Sequence, residues 1–125
     1  MKYISTKDVA SMIRKNLKEA FPDVKFSVRK DNYHCIRIAY EQGPDVADVS
    51  NIVNVYKGGG FDGMIDLEYS YYHYLTPDGR VVMGGSDGTE GSGGVYQSFD
   101  NPPPCDGCEK VRLMSTYIFV HKEAA

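Results

Sequence analysis

Apolar residues recur through the first twenty positions at the spacing of one helix face. Val9, Ile13 and Leu17 are each four residues apart, so they fall on one stripe of a helix. Ser5 and Asp8 have the spacing of a helix start signal. This pattern predicts a first helix whose other face is basic, and that face either stays in water or meets phosphate groups. The basic residues of this face that could contact phosphate are Lys7, Arg14 and Lys18.

Residues 24–40 alternate apolar and polar side chains twice, on either side of a turn at Asp31-Asn32. Alternation is typical of strands with one buried face, and two such runs around a turn predict a β-hairpin. Its polar face carries Lys25, Arg29 and Arg37. These three cations and the basic face of the first helix together form a candidate nucleic-acid surface.

Helical spacing returns in residues 44–56, and the triple glycine that follows supplies a left-handed stop. Aromatic and branched residues then indicate strands, the first of which ends at the turn signal Pro77-Asp78-Gly79. The strands predicted in this half of the chain cover residues 61–75, 80–83 and 111–120. We interpret the last of them as one central, buried strand.

These elements predict an α+β domain, with an antiparallel sheet of four to five strands and two helices packed on one face. If residues 2–4 also form a strand, the order begins as β-α-β-β-α-β, which is the ferredoxin-like order. The chain length predicts a single domain over residues 1–125. Within it, residues 84–110 are rich in Gly and Pro and predict a long flexible loop.

Charge is distributed unevenly along the chain. Residues 1–40 hold nine Lys/Arg against four Asp/Glu, residues 41–109 hold two against twelve, and residues 110–125 hold three against one. The acidic middle either forms an interaction surface or is neutralised by the basic ends in space. Because the chain has neither a long apolar run nor the pattern of a signal peptide, we expect a cytoplasmic protein without a membrane segment.

The stretch YSYYHYL, residues 69–75, places aromatic rings on both faces of a predicted strand. Rings on the face that the helices leave open are covered by the Gly/Pro segment, buried against a partner, or left exposed. The neighbouring charges are acidic, which favours a protein partner over nucleic acid bases. The candidate partner-binding residues are Asp62, Asp66, Glu68, Tyr69, Tyr71, Tyr72 and Tyr74.

Cys105 and Cys108 form a CxxC pair, and His121 follows at a spacing compatible with zinc ligation. Half a zinc site is common by chance, so two free loop thiols are the competing interpretation and we expect no cofactor. The sequence contains neither G-x-S-x-G nor H-E-x-x-H. Without these motifs we do not expect an enzyme.

Several stretches in order resemble a large polyvalent-protein-associated domain, the twenty-ninth of that series: KYISTKDVASMIRKNLKEAFPDVKFSV, GGGFDGMIDLEY followed by TPDGRV, and GTEGSGG. The residues that transfer as a motif are Gly60, Phe61, Asp62, Gly63, Met64, Ile65 and Asp66. The resemblance implies a module of giant phage and conjugative-plasmid proteins, with no catalytic residues to carry over. Here the module stands alone, without a fused enzyme, which indicates a small and independently expressed protein of a mobile element in a bacterial host.

Two functions follow as expectations. The first is a non-enzymatic accessory protein that binds a host protein through the acidic, tyrosine-rich surface, as a counter-defence inhibitor of the anti-CRISPR or antirestriction type would. Its partner would be a defence ribonucleoprotein or another host protein complex. The alternative is a nucleic-acid-binding accessory module that uses the basic helix and hairpin face.

Overall fold

The computed structural model describes residues 2–31, 34–62, 67–86 and 99–123, and for residues 60–62, 67–70 and 99 it describes the backbone alone. The helices are α1 (Thr6–Ala20) and α2 (Val46–Val53), the latter continued by a 3-10 turn (Asn54–Tyr56). The strands of the described ranges are β1 (Lys2–Ile4), β2 (Ser27–Lys30), β3 (Cys35–Tyr40), β4 (Gly59–Asp62), β5 (Leu67–Leu75), β6 (Val81–Ser86), β7 (Phe99–Asp100), β8 (Glu109–Leu113) and β9 (Tyr117–Lys122). The predicted α+β class is confirmed.

Helix α1 begins where the sequence predicted. The Ser5 side chain accepts a hydrogen bond from the backbone N–H of Asp8 at 3.2 Å, which satisfies one of the free amides of the first turn. Val9, Ile13 and Leu17 are buried along one stripe of the helix. The local signals of this segment were therefore sufficient to place both its start and its buried face.

The described strands form two sheets. The smaller one, called the second sheet below, has three strands in the order β2-β3-β9. Strands β2 and β3 pair antiparallel, which confirms the predicted hairpin, whereas β9 runs parallel to β3. Alternate residues of all three strands face the helices, because α1 contacts β2 and β3 while α2 contacts β9. Buried side chains on this inner face are Val28, Ile36, Ile38, Tyr40 and Ile118.

The first sheet follows the order β1-β8-β5-β6-β7, and β4 pairs with the beginning of β5. Strand β1 runs parallel to β8, and the other pairings are antiparallel. The fold thus differs from the single antiparallel sheet that we predicted, because the strands divide over two mixed sheets. Strand β1 does form, but the ferredoxin-like arrangement is not found.

The chain passes from the first sheet to the second at residues 114–116. We predicted one strand through this region, but it contains two strands, β8 and β9. Ser115 is fully buried at the crossing, where its hydroxyl donates to the Tyr56 carbonyl at 2.8 Å and its carbonyl accepts from the Gly58 N–H at 2.7 Å. These bonds tie the crossing to the segment after α2 and fix the point where the strand divides.

The core lies between the two helices and the inner faces of both sheets. Its buried residues include Val9, Ile13, Leu17, Val49, Val53, Ile36, Ile38, Val81, Val111 and Leu113. No helix of the described residues is long and apolar enough to cross a membrane.

The predicted loop over residues 84–110 is replaced in part by strands. Gly84–Ser86 complete β6, which pairs with β7, and β8 begins at Glu109. Residues 87–98, in the middle of the predicted loop, lie outside the described part of the chain.

Candidate functional site

The outer face of the second sheet is the side that points away from the helices. In the pairing register, β3 residue Arg37 lies beside Arg29 of β2 and Phe119 of β9. Because side chains alternate along a strand, every second residue belongs to the same face. We define the outer face by Ser27, Arg29, Cys35, Arg37, Ala39, Tyr117, Phe119 and His121. Most of these side chains are exposed.

Two aromatic rings stand next to each other on the outer face. Tyr117 is 37% exposed and Phe119 is 49% exposed, although both are large and mostly apolar. Their ring centroids are 6.5 Å apart and their planes differ by only 12°. Ile118 between them points inward and is buried, so the alternation of β9 explains why the rings are presented outward.

One arginine borders the Phe119 ring, and a second lies one strand further away. The Cζ atom of Arg37 lies 5.1 Å from the centroid of the Phe119 ring. Its Nε donates to Oδ2 of Asp31 at 2.6 Å, but both side chains are about half exposed, and such surface pairs contribute little. Arg29 is the direct partner of Arg37 across the β2–β3 pair. The outer face therefore combines flat rings with cations that can reach a phosphate.

An open groove of about 720 Å³ continues the outer face toward the end of β3. It is lined in part by the small side chains of Ser27 and Ala39 and by Arg29. Carboxylates of Glu41 and Glu123 also line it. Because these carboxylates repel phosphate, an anionic ligand would follow the arginine side of the outer face rather than the acidic end of the groove.

The predicted nucleic-acid residues do not form one surface. Arg29 and Arg37 lie on the outer face, and Lys25 lines the groove beside it. Lys7 and Lys18 are exposed on α1, which packs against the inner face of the same sheet, so they lie on the other side of the molecule. Arg14 also belongs to α1, and its Nη2 donates to the Val28 carbonyl at 2.6 Å. Its role in the described fold is to join the helix to the edge strand.

The tyrosine strand is largely used inside the fold. Tyr72 is 6% and Tyr74 is 7% exposed, so neither ring forms an exposed surface. The Tyr74 hydroxyl donates to the Asn101 carbonyl at 3.0 Å, while the Lys110 Nζ lies 4.0 Å from the centroid of the Tyr72 ring. Gly84 leaves room for the Tyr72 ring, because a Cβ there would lie 2.5 Å from a ring carbon. Of the alternatives stated for the tyrosine rings, covering by the chain itself therefore applies to Tyr72 and Tyr74.

The remaining members of the predicted partner surface are less defined. Tyr71 is half-buried, with its ring edge-on to His73 at 6.5 Å. Asp66 lies outside the described residues, as do the side chains of Asp62, Glu68 and Tyr69. The same holds for most of the motif at residues 60–66 on which the family resemblance was based.

His73 occupies the middle of the first sheet, beside Met83 and Val111 on the neighbouring strands. It is fully buried, and neither ring nitrogen has a hydrogen-bond partner of ordinary geometry among the described residues. Burial lowers the pKa of the imidazole to about 4, a shift that the nearby Val55 backbone opposes in part. The ring is therefore neutral near pH 7 and acts as a buried core residue.

The cysteine pair lies in the turn before β8. Cys105 is exposed, Cys108 is half-buried, and hydrogen bonding to Cys108 raises the pKa of Cys105. His121 belongs to the outer face of the second sheet. Within the described ranges no group of three or more His, Cys, Asp or Glu side chains is placed to hold a metal ion.

The exposed ring pair was missed in the sequence because residues 111–120 were interpreted as one central strand rather than as two strands. A signal was present. Tyr117, Phe119 and His121 alternate with the aliphatic residues Ile118 and Val120, which is the pattern of a strand with one buried face.

The fold and this site define the class of the protein: an α+β domain with an exposed aromatic and basic sheet face. The chain belongs to the family of large polyvalent protein associated domain 29, whose match covers residues 4–123. The family is associated with polyvalent proteins of mobile elements, so the resemblance expected from the sequence is confirmed. Comparison with curated proteins and with solved structures found no match.

Proposed function

We propose that the chain is a non-enzymatic accessory module of a mobile element and that it binds nucleic acid through the outer face. The observation that carries the proposal is the adjacent pair Arg29 and Arg37, both exposed on a sheet face that the two helices leave open. Guanidinium groups suit phosphate because they are always charged and offer planar, two-pronged donors. The helices contact only the opposite face, so a ligand can approach the arginines without any rearrangement of the core.

Direct titration tests the proposal. A fluorescein-labelled oligonucleotide of about 12 nucleotides is titrated with protein up to about 1 mM, since sequence-independent binding is weak at physiological salt. Two phosphate contacts on a single strand predict a slope of about −1.4 for the logarithm of the binding constant against the logarithm of salt concentration. Replacing Arg29 and Arg37 together by Gln should remove most of the binding and flatten this slope.

The matched control is the double replacement of Lys7 and Lys18 by Gln. It removes the same charge from α1, on the other side of the second sheet, and should leave binding nearly unchanged. Equal losses in the two double variants would show a response to net charge alone. Absence of any binding at about 50 mM salt would end the proposal, because electrostatic contacts are strongest there.

A host protein partner and a counter-defence role remain predictions. They depend on Asp66 and Glu68, whose side chains lie outside the described residues. Asp66→Lys combined with Glu68→Lys tests them: the acidic surface predicts that this variant loses a partner captured by the wild-type protein, and that the loss depends on salt.

A further inference from the structure

We propose that the nucleic acid is single-stranded and that its bases stack on the ring pair of Tyr117 and Phe119. This inference rests on the proposed function and names the ligand class of the same face. It depends on the rings, whereas the proposed function depends on the arginines, so separate variants test the two. Its basis is a pair of nearly parallel exposed rings and two exposed arginines on a sheet face that the helices leave open.

The rings have the exposure that a stacking site requires. Large apolar side chains in contact with one another are normally buried, since each contributes most to stability when removed from water. Of the four large apolar side chains that the described chain exposes, two meet here, and the other two are Tyr3 and Val46. Because neither ring is buried in the core, exposure of this pair points to a ligand rather than to packing.

The geometry fits planar bases. The ring planes are within 12° of parallel and their centroids are 6.5 Å apart. Two nearly parallel exposed rings offer flat surfaces on which unstacked bases can lie. Aromatic side chains on sheets recognise unstacked bases in this manner, with little dependence on sequence.

The neighbouring charges fit the backbone of the same strand. The Arg37 guanidinium lies 5.1 Å from the Phe119 ring centroid, so a nucleotide whose base stacks on this ring carries its phosphate close to a cation. Arg29 is one strand further, at the usual strand spacing of about 5 Å. The three strands together are about 10 Å wide, which accommodates two or three nucleotides.

Two other occupants fit less well. A duplex stacks its bases on one another and presents grooves and phosphates, so the rings would have no base face to contact. A second copy of this chain in a two-fold dimer would place the surface that holds Arg29 and Arg37 against the same surface of the partner, and apposition of two basic surfaces is unfavourable.

The experiment compares three labelled ligands of equal length: a mixed-sequence single strand of about 12 nucleotides, an abasic single strand with the same number of phosphates, and the duplex of the first strand. The protein variants are Tyr117→Ala, Phe119→Ala and the double variant. Tyr3→Ala is the matched control, because Tyr3 is an aromatic residue that is 64% exposed on β1 of the other sheet. The three side chains removed in these variants are all exposed, so thermal melting curves should remain close to that of the wild type.

We expect the wild type to bind the single strand at least about 5-fold more tightly than the duplex or the abasic strand. Each ring variant should weaken single-strand binding by about 5- to 150-fold, the range measured for loss of one base–aromatic stack. Binding of the abasic strand and the salt slope should not change, and Tyr3→Ala should match the wild type. Phe119→Trp should retain binding because a flat ring is kept.

Three results would overturn the inference. If the abasic strand or the duplex bound as tightly as the single strand, the bases would not be contacted. If the arginine variants still lost binding, the proposed function would stand without base stacking. Ring variants that bind the single strand as tightly as the wild type would also show that the bases do not stack on these rings. Concentration-dependent self-association by sedimentation, abolished by Phe119→Ala, would assign the ring pair to a dimer. Absence of binding to every ligand would instead remove the proposed function itself.

Discussion

Burial of His73 should make the free energy of unfolding of this protein depend on pH between 6.5 and about 4, a range that begins well above the ordinary pKa values of carboxylates. Its imidazole is fully buried, and its pKa is lowered from an ordinary 6.5 to about 4. The unfolded chain therefore binds one more proton than the folded chain between these two values. Since stability rises with pH wherever the unfolded state binds more protons, the folded state is favoured above pH 6.5 and loses this stability as the pH falls toward 4.

The magnitude follows from the shift. A pKa difference of about 2.5 corresponds to about 3 kcal/mol once the pH is below both values. Between about pH 7.5 and pH 5 the same two pKa values predict a loss of about 2 kcal/mol. That window lies largely above the ordinary pKa values of Asp and Glu, near 4, so the histidine is the main source of the change.

Replacing His73 by Leu isolates the effect. Leucine is similar in size, has no titrating group and removes two buried nitrogens that lack partners among the described residues. We expect the free energy of unfolding near pH 7.5 to stay the same or rise by about 1 kcal/mol, because an unsatisfied buried polar group is unfavourable. Toward pH 5 the variant should lose about 2 kcal/mol less than the wild type.

Urea denaturation followed by circular dichroism, at several pH values between about 7.5 and 5, measures these free energies. His121→Gln is the control, since it also removes a histidine but from an exposed position on the outer face, and it should follow the wild-type curve. Parallel curves for the wild type and His73→Leu would refute the reasoning, because His73 would then have the same pKa in both states. An NMR titration of His73 in the wild type gives the folded pKa independently.

Three further predictions concern the packing and the reactivity of particular residues. Gly84→Ala should reduce the free energy of unfolding by about 1–3 kcal/mol in urea titrations, because the new methyl group overlaps the Tyr72 ring; an unchanged midpoint would contradict this contact. Ser5→Ala should cost about 1 kcal/mol through loss of the helix cap, whereas Ser11→Ala, at an exposed position inside the same helix, should not destabilise. Cys35 is buried and its pKa is raised by burial, so in the native protein a thiol reagent should modify the other two cysteines first and Cys35 only on unfolding; three equally fast thiols would contradict its placement.

Features of the fold that depend on neighbouring residues were predictable from the sequence. The Ser5 cap, the stripe of α1 and the β2–β3 hairpin each depend on residues within one element or one turn. Helix α2 likewise follows from its periodicity over residues 44–56. In each case the hydrophobic pattern and the local geometry require the same structure, so tertiary contacts had nothing to override.

The division into two sheets was not predictable in this way. It depends on two parallel pairings between distant parts of the chain. In β1–β8, Lys2 pairs with Val111, 109 positions later, and in β3–β9, Cys35 pairs with Tyr117, 82 positions later. It also depends on Ser115, whose buried hydrogen bond to Tyr56 ends one strand and lets the next begin. A serine within a β-rich run carries no sign in the sequence that it bonds to a carbonyl some sixty residues earlier.

The same division explains why the tyrosine strand was the more prominent signal in the sequence and the less suitable surface in the structure. Strand β5 is paired on both sides within the first sheet, so its described rings are covered by Asn101, Lys110 and the core. Strand β9 has only β3 as a partner in the described chain and has helices on one face only, so Tyr117 and Phe119 stay exposed. An aromatic residue therefore becomes a candidate ligand contact through the position of its strand and not through local aromatic density. In the second sheet the inner face packs in the core while the two rings on the outer face stay exposed, and this is why the ring variants can test the proposed binding without unfolding the protein.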